Sequence, residues 1–331
     1  MEERPTQSMP RDMSVIICTY SEDRWLAARA AVESVRSQTV PPREIIVVVD
    51  YNAALLKRAR EQWPDLVVIE NHETRGLSGA RNSGVAIAQG AWLAFLDDDA
   101  VAETTWLEKL MDCCDDPQVL GAGTRVKPAW ETARPAWFPE EFLWVVGCSY
   151  RGLPQSRQPV RNLLGGSMCL KREIFATIGG FRHTVGRVAT KPMGCEETEL
   201  CIRARQYWPQ KIFLYEPQIC VQHWVPDSRA TWTYFRARCF AEGQSKALVA
   251  RSVGAGDGLA SEWTYTLTVL PQGIARGLAD AFFRHDRMGL ARAGAIVAGL
   301  AITAAGYIRQ WISQRVTTEP QPQTDLKTAP D

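Results

Sequence analysis

Three consecutive aspartates, Asp97, Asp98 and Asp99, follow the apolar run AWLAFL at 91–96. Adjacent carboxylates repel, and a hard divalent cation such as Mg2+ or Mn2+ relieves that repulsion while gripping phosphate oxygens. Side chains alternate along an extended segment, so Asp97 and Asp99 share one face and Asp98 takes the other. A solvated turn would use the same residues, because aspartate bonds its local backbone. A second acid pair, Glu196 and Glu197, opens a helical pattern at 196–208. Carboxylates there suit general-base chemistry or simply complement a helix N-terminus. His223, in the strand-like run 211–225, offers an imidazole nitrogen to a metal; a lone histidine in a strand serves equally well in packing.

These groups need a scaffold that gathers distant strand ends. MSVIICTY (13–20), REIIVVVD (43–50), DLVVIEN (65–71) and AWLAFLDDD (91–99) are short apolar runs. Helical spacing separates them at 24–37 and 52–62, and the Gly-rich stretch RGLSGARNSGVAIAQG does so at 75–90. The alternation predicts βαβ units and a parallel sheet with helices on both faces, and unbroken apolar runs fit strands covered on both sides. Ligands in such sheets bind at the carboxyl ends of strands, where Thr19, Tyr20, Asp50, Asn71 and the aspartates fall. Gly76 and Gly79 permit close backbone approach. Arg81 is a forked cation for a phosphate or for Asp50 and Asp97, and Asn82 is expected to cap the helix that follows.

The second half is less regular. VLGAGTRVKP (119–128) adds a strand, and 128–162, rich in Pro, Trp and Arg, reads as a long irregular cover over a ligand. In LGGSM (164–168), Gly165, Gly166 and Ser167 bring backbone near a ligand or form a bulge. Arg229, Arg236 and Arg238, within the helical and basic 231–249 region and just before it, make a cationic group suited to phosphate or to solvent. Residues 263–283 and 289–311 are apolar but bounded or interrupted by Arg276, Arg284, Arg287, Arg292 and Arg309. The run AGAIVAGLAITAAGYI (293–308) holds 16 residues, fewer than the roughly 20 that span a bilayer. An interfacial helix pair is one reading; an Ala-rich hairpin packed on the domain is the other.

With 331 residues the chain has room for one large domain or two modest ones. A formal net charge of +1 points to no nucleic-acid partner. Nine cysteines without CxxC spacing give no zinc site and fit reduced thiols in a cytosolic compartment. Residues 1–13 are polar, which gives the expectation of no secretory leader.

Taken in order, SVIICTYSEDR (14–24), Asp50, RGLSGARNSG (75–84), LDDDA (96–100), GCEETEL (194–200) and VQHWVPDSRATWTYFRARCFAEGQSKA (221–247) resemble the motif series of the family 2 glycosyltransferases. The resemblance implies the GT-A fold: α/β, a mostly parallel central sheet with helices on both faces, here followed by a C-terminal helical, membrane-interfacial segment. It divides the chain into an arm (1–12), a GT-A domain (13–250) with a nucleotide-binding half (13–100) and an acceptor half (101–250), a helical membrane-associated segment (251–315) and a disordered tail (316–331). It implies that Thr19, Tyr20, Arg24, Asp50, Arg81, Asp97, Asp98 and Gly166 hold the nucleotide-sugar donor. Asp99 and His223 would hold Mn2+ or Mg2+. Glu197 would be the general base, where the family usually has Asp, with Glu196 beside it on acceptor or sugar. Tyr51 follows Asp50, where the family often has a second acid or a glycine.

The activity so implied is inverting, metal-dependent transfer from a nucleotide sugar, UDP before TDP or GDP, to a hydroxyl of a glycan or lipid-linked acceptor. Such work would sit at the cytoplasmic, inner face of the cell membrane, with peripheral contact through 263–311 and no nucleic-acid partner. Two other readings stay open: transfer to a polyprenyl phosphate, which needs no base, and a nucleotide-binding partner protein without turnover.

Overall fold

The computed structural model describes residues 12–187 and 193–316. Residues 1–11 of the expected arm and 317–331 of the expected disordered tail lie outside the described residues.

The first half runs β1 (Met13–Thr19), α1 (Trp25–Arg36), β2 (Glu44–Val49), α2 (Ala53–Gln62), β3 (Val67–Glu70), α3 (Leu77–Ile87) and β4 (Trp92–Asp97). β1 pairs in parallel with β2 and β4, and β2 with β3. Alternation along β1 sends Val15 and Ile17 into a core shared with Trp25, Val32 and Leu55 of α1 and α2. Ile16 faces the opposite core with Val48, Ala80 and Phe95, under α3. Burial on both faces is why these strands read as unbroken apolar runs. The polar residue ending each run is thereby delivered to one edge of the sheet.

The second half adds β5 (Ala100–Ala102), α4 (Trp106–Cys114), β6 (Val119–Trp130), β7 (Gln158–Val160), β8 (Ser167–Lys171), α5 (Arg172–Ile178), α6 (Glu196–Tyr207), β9 (Ile212–Val225), α7 (Trp232–Val253), α8 (Ala255–Thr264), α9 (Leu270–Phe283) and α10 (Met288–Val316). The strand order is β3-β2-β1-β4-β8-β6-β9-β5, with β7 on β9. β8 is antiparallel to β4 and β6, and β5 and β7 are antiparallel to β9, so the sheet is mixed beyond its parallel half. The segment expected as an irregular cover is partly ordered. β6 runs on to Trp130, a 3-10 helix occupies Glu140–Val146, and β7 completes an edge.

α10 lies along α7 and α9. The approach is close because small residues meet there: a Cβ on Gly243 would collide with the Thr303 carbonyl, and one on Gly306 with that of Phe240. By length and composition Met288–Arg315 is apolar enough to cross a membrane. It exceeds the 16-residue run counted in sequence because flanking turns of the same helix add Leu290, Trp311 and Ile312, all exposed.

Candidate active site

One cavity of about 740 Å3 takes in twelve of the residues singled out in the sequence: Thr19, Tyr20, Arg24, Asp50, Arg81, Asp97, Asp98, Asp99, Gly166, Glu196, Glu197 and His223. The fold explains the gathering. β4 ends at Asp97, the chain turns, and β5 starts at Ala100, which pairs with His223 of β9. A backbone bond from Trp224 N to Asp99 O, 2.7 Å, fixes Asp99 against the same strand.

The Asp97, Asp99 and His223 ligand atoms lie within 4.8 Å of one another. Asp99 Oδ1 is 3.1 Å from His223 Nε2, and Oδ2 is 3.3 Å from Arg229 and also pairs with Arg24. Burial works against ionisation, but His223 and Arg24 hold the Asp99 carboxyl well below the usual carboxylate range. Asp98 faces away onto Arg24, Oδ1 at 2.8 Å, and burial pushes it up to about 6 despite that cation. Asp99 Oδ1 is buried, and apart from its contact with His223 Nε2, which is not aligned as a hydrogen bond, it has no partner among the described residues. Two carboxylates and an imidazole around such an oxygen fit a divalent cation of the Mg2+ or Mn2+ kind. Asp99 raises His223 well above its ordinary value against the effect of burial. His223 must shed its proton to ligate, so cation binding would release a proton.

Arg81 is fully buried and organises the next layer. It donates to Glu196 Oε1 at 2.9 Å, to Asp97 Oδ1 at 3.3 Å and to the Gly165 carbonyl at 2.8 Å. It does not reach Asp50, which was one of its expected partners. Asp50 instead accepts from Asn71 Nδ2 at 2.7 Å and from the Gly76 N–H at 3.0 Å, and so pins the glycine turn that opens α3. Gly76 occupies the cap position with φ 126°. Asn82, expected to cap, lies inside α3 and clamps the Phe181 backbone through both amide atoms, because the helix starts earlier than the Asn pattern suggested. Thr19 is buried at the end of β1 and Tyr20 stands exposed at the rim, its ring under Arg24. Tyr51 has φ 49° and donates to the Glu73 carbonyl, turned out of the cavity lining.

The first turn of α6 carries three acids with different fates. Glu196 pairs with Arg81, and Glu199, fully buried, pairs with Arg182 and Arg203 at 3.0 and 2.9 Å. Glu197 has no ion pair among the described residues. Burial and the neighbouring Glu196 push it up to about 8, against the pull of Arg81. A carboxylate without a cation partner, poised above its ordinary range, is suited to take a proton. Gly165 lies between Arg81 and Glu197, where a Cβ would sit 3.2 Å from the guanidinium and 3.5 Å from the Glu197 carboxyl carbon. A Cβ on Gly166 would stand 3.3 Å from Asp97 Oδ2. Their lack of side chains keeps the space between the metal-fitting cluster and Glu197 open.

Sequence reasoning did not single out Arg161, Arg187, Lys246, Glu242 or Glu262, all of which line the same cavity. For Arg238, Glu242 and Lys246 a signal existed in their i,i+4 spacing on α7, which makes two ion pairs. Arg236, grouped with Arg229 and Arg238 in sequence, is exposed and lines no part of the cavity, since it sits on another side of α7.

Comparison with known proteins gives three findings. The sequence model of glycosyl transferase family 2 matches residues 14–179. A "Glucosyl-dolichyl phosphate glucuronosyltransferase" of Haloferax volcanii is 35% identical over 241 residues, 72% of this chain and 77% of that protein. A solved structure of mannosyltransferase PcManGT from Pyrobaculum calidifontis, in complex with GDP-Man and Mn2+, shares the fold with a TM-score of 0.55 at 18% identity, over 88% of this chain and 86% of that one.

Proposed function

This chain belongs to glycosyl transferase family 2, and from that premise we propose that it moves a sugar, with inversion, from a nucleotide sugar to a hydroxyl of a lipid-linked glycan. The observation that carries the reading is the division of labour among the acids: Asp97 and Asp99 meet His223, Glu196 and Glu199 are committed to arginines, and of the two acids that open α6 Glu197 faces the cavity with no ion pair among the described residues.

In this reading Glu197 takes the acceptor hydroxyl proton, and that oxygen attacks the anomeric carbon on the face opposite the diphosphate. Glu196, held by Arg81, lies beside it at acceptor or sugar. Thr19, Tyr20, Arg24 and Asp50 hold the nucleotide in the 13–100 half, and Asp98, Arg81 and Gly166 shape the donor pocket. A UDP-sugar is the donor proposed. Asp97, Asp99 and His223 would hold Mn2+ or Mg2+, which supplies Lewis-acid stabilisation for the leaving nucleoside diphosphate. Arg229 adds fixed positive charge on the same side.

A lipid-linked acceptor is supported by the Haloferax volcanii relative, whose name places glucosyl-dolichyl phosphate as its acceptor. It also fits the exposed Trp263, Phe282, Phe283 and Trp311 of the C-terminal helices, with Arg284 and Arg287 in the α9–α10 connection and Arg309 on α10. We propose that this surface rests on the inner face of the cell membrane. The full chain should sediment with vesicles containing anionic lipid, more weakly at high salt; a chain that stays in the supernatant at low salt would refute the membrane placement. For the function itself, nucleoside diphosphate release from a panel of nucleotide sugars should require Mn2+ or Mg2+, stop with EDTA, favour one sugar and rise with a lipid-phosphate glucoside. Metal-independent release, or none with any donor, would refute it.

A further inference from the structure

The cavity does not end at Glu197. Its neighbour Cys195 contacts Glu242 at 3.2 Å, and Glu242 begins a charged collar. Lys246 Nζ lies 3.2 Å from Glu242 and 2.6 Å from Glu262, Arg238 pairs with Glu242 at 3.0 Å, and Arg161 grips Glu262 with two bonds of 2.6 and 2.9 Å. Three cations thus face two carboxylates. Tyr150 stands in the field of this collar and packs edge-on against Tyr265 at 5.5 Å. Tyr265 in turn bonds Trp144 Nε1 at 3.2 Å and lies beside Phe142, which packs on Gly299 of α10. Beyond the collar the cavity wall is therefore apolar and aromatic, completed by Val269, Leu270, Leu300 and Tyr307. Leu300, 37% exposed, belongs both to this wall and to the outward apolar face of α10 that carries Val297, Ile308 and Trp311.

Neither the donor pocket nor the base uses this wing. We propose that it receives the hydrocarbon chain of the acceptor, with the acceptor phosphate at the Arg161–Lys246 collar and the chain leaving along α10. The inference rests on the lipid-linked reading above and assigns that acceptor a subsite. Three features point to one occupant. The wing is continuous with the transfer site, Arg161 and Lys246 offer charged N–H donors where a phosphate would join sugar to lipid, and the apolar end opens onto an apolar surface rather than a polar one. An acceptor that is a free glycan would use none of them.

Binding of farnesyl phosphate, farnesol and inorganic phosphate to the full-length protein, followed by calorimetry, tests this. Farnesyl phosphate should bind at least about tenfold more tightly than inorganic phosphate, since burial of even two methylene groups is worth that factor, and more tightly than farnesol, which offers Arg161 and Lys246 no anion to pair with. Ala304, one turn after Leu300 on α10, also lines the cavity; Leu300→Asp and Ala304→Trp, which respectively charge and fill the wing, should each weaken farnesyl phosphate by about tenfold or more. Metal-dependent nucleotide binding, measured on the same samples, should change less than about twofold, because neither residue touches the donor pocket. Equal affinity for farnesyl phosphate and inorganic phosphate, or unchanged farnesyl phosphate binding in both variants, would overturn the proposal. Absence of nucleotide binding in the wild type would instead count against the transferase reading, which this readout keeps separate.

Discussion

Glu197→Gln should lower sugar transfer by about 10²- to 10⁴-fold, the range that a positioned general base supplies, while metal-dependent nucleotide binding persists. The substitution is nearly isosteric and breaks no ion pair among the described residues, so the fold has little reason to respond. The pH sign gives an independent check. Folding raises the carboxyl from its ordinary 4.5 to about 8. The native state therefore holds this proton more tightly than the unfolded chain, and its stabilising contribution is complete below about 4.5 and lost as pH rises toward about 8. Glutamine cannot ionise, so near pH 8 the variant should melt no lower than wild type. Transfer to a polyprenyl phosphate would give the opposite kinetic result, because an acceptor that is already an anion needs no base and the variant would stay active.

Asp99→Asn should reduce metal-dependent turnover by about 10³-fold, as expected if several kcal/mol of charge stabilisation is lost at a tenfold rate change per 1.4 kcal/mol. Mn2+ affinity, read from the free-ion signal in electron paramagnetic resonance, should fall at least about tenfold in parallel. Stability should fall as well. Asp99 is the shared partner of His223, Arg24 and Arg229, and breaking a buried ion-pair network by removing one member costs about 3–5 kcal/mol. Melting curves separate the two effects, since a folded variant that no longer binds Mn2+ has lost the site and not the scaffold. Wild-type Mn2+ affinity and turnover in Asp99→Asn would remove these residues from the metal proposal.

The parallel half of the fold was legible because its strands are covered on both faces and so carry unbroken apolar runs with a polar residue at each end. The aspartate triplet, the glycine turn at 76–79 and the acids at 196–197 could be found for a related reason: each sits where a regular element stops or starts. Partners were harder to read than positions. That Arg24 would fold over the end of β4 and take both Asp98 and Asp99 depends on the 3-10 turn at Glu22–Arg24, which no periodicity announces. That Arg81 would prefer Glu196 to Asp50 depends on how closely α6 approaches α3, a tertiary fact. The charged collar joins residue 161 to α7 and α8, with its members far apart in sequence. The wing beyond it needs α9 and α10 in place, and in sequence these read only as apolar segments.

The most direct test of the central claim is the pH dependence of kcat/KM for wild type and Glu197→Gln on one lipid-phosphate glucoside, with saturating Mn2+, from about pH 6 to about pH 9. Wild-type activity should climb with an apparent pKa near the raised value of about 8 and level off above it. The glutamine variant should be slow throughout and lack that rise. A wild-type profile flat across this range, or a glutamine variant with wild-type rates, would show that Glu197 is not the base.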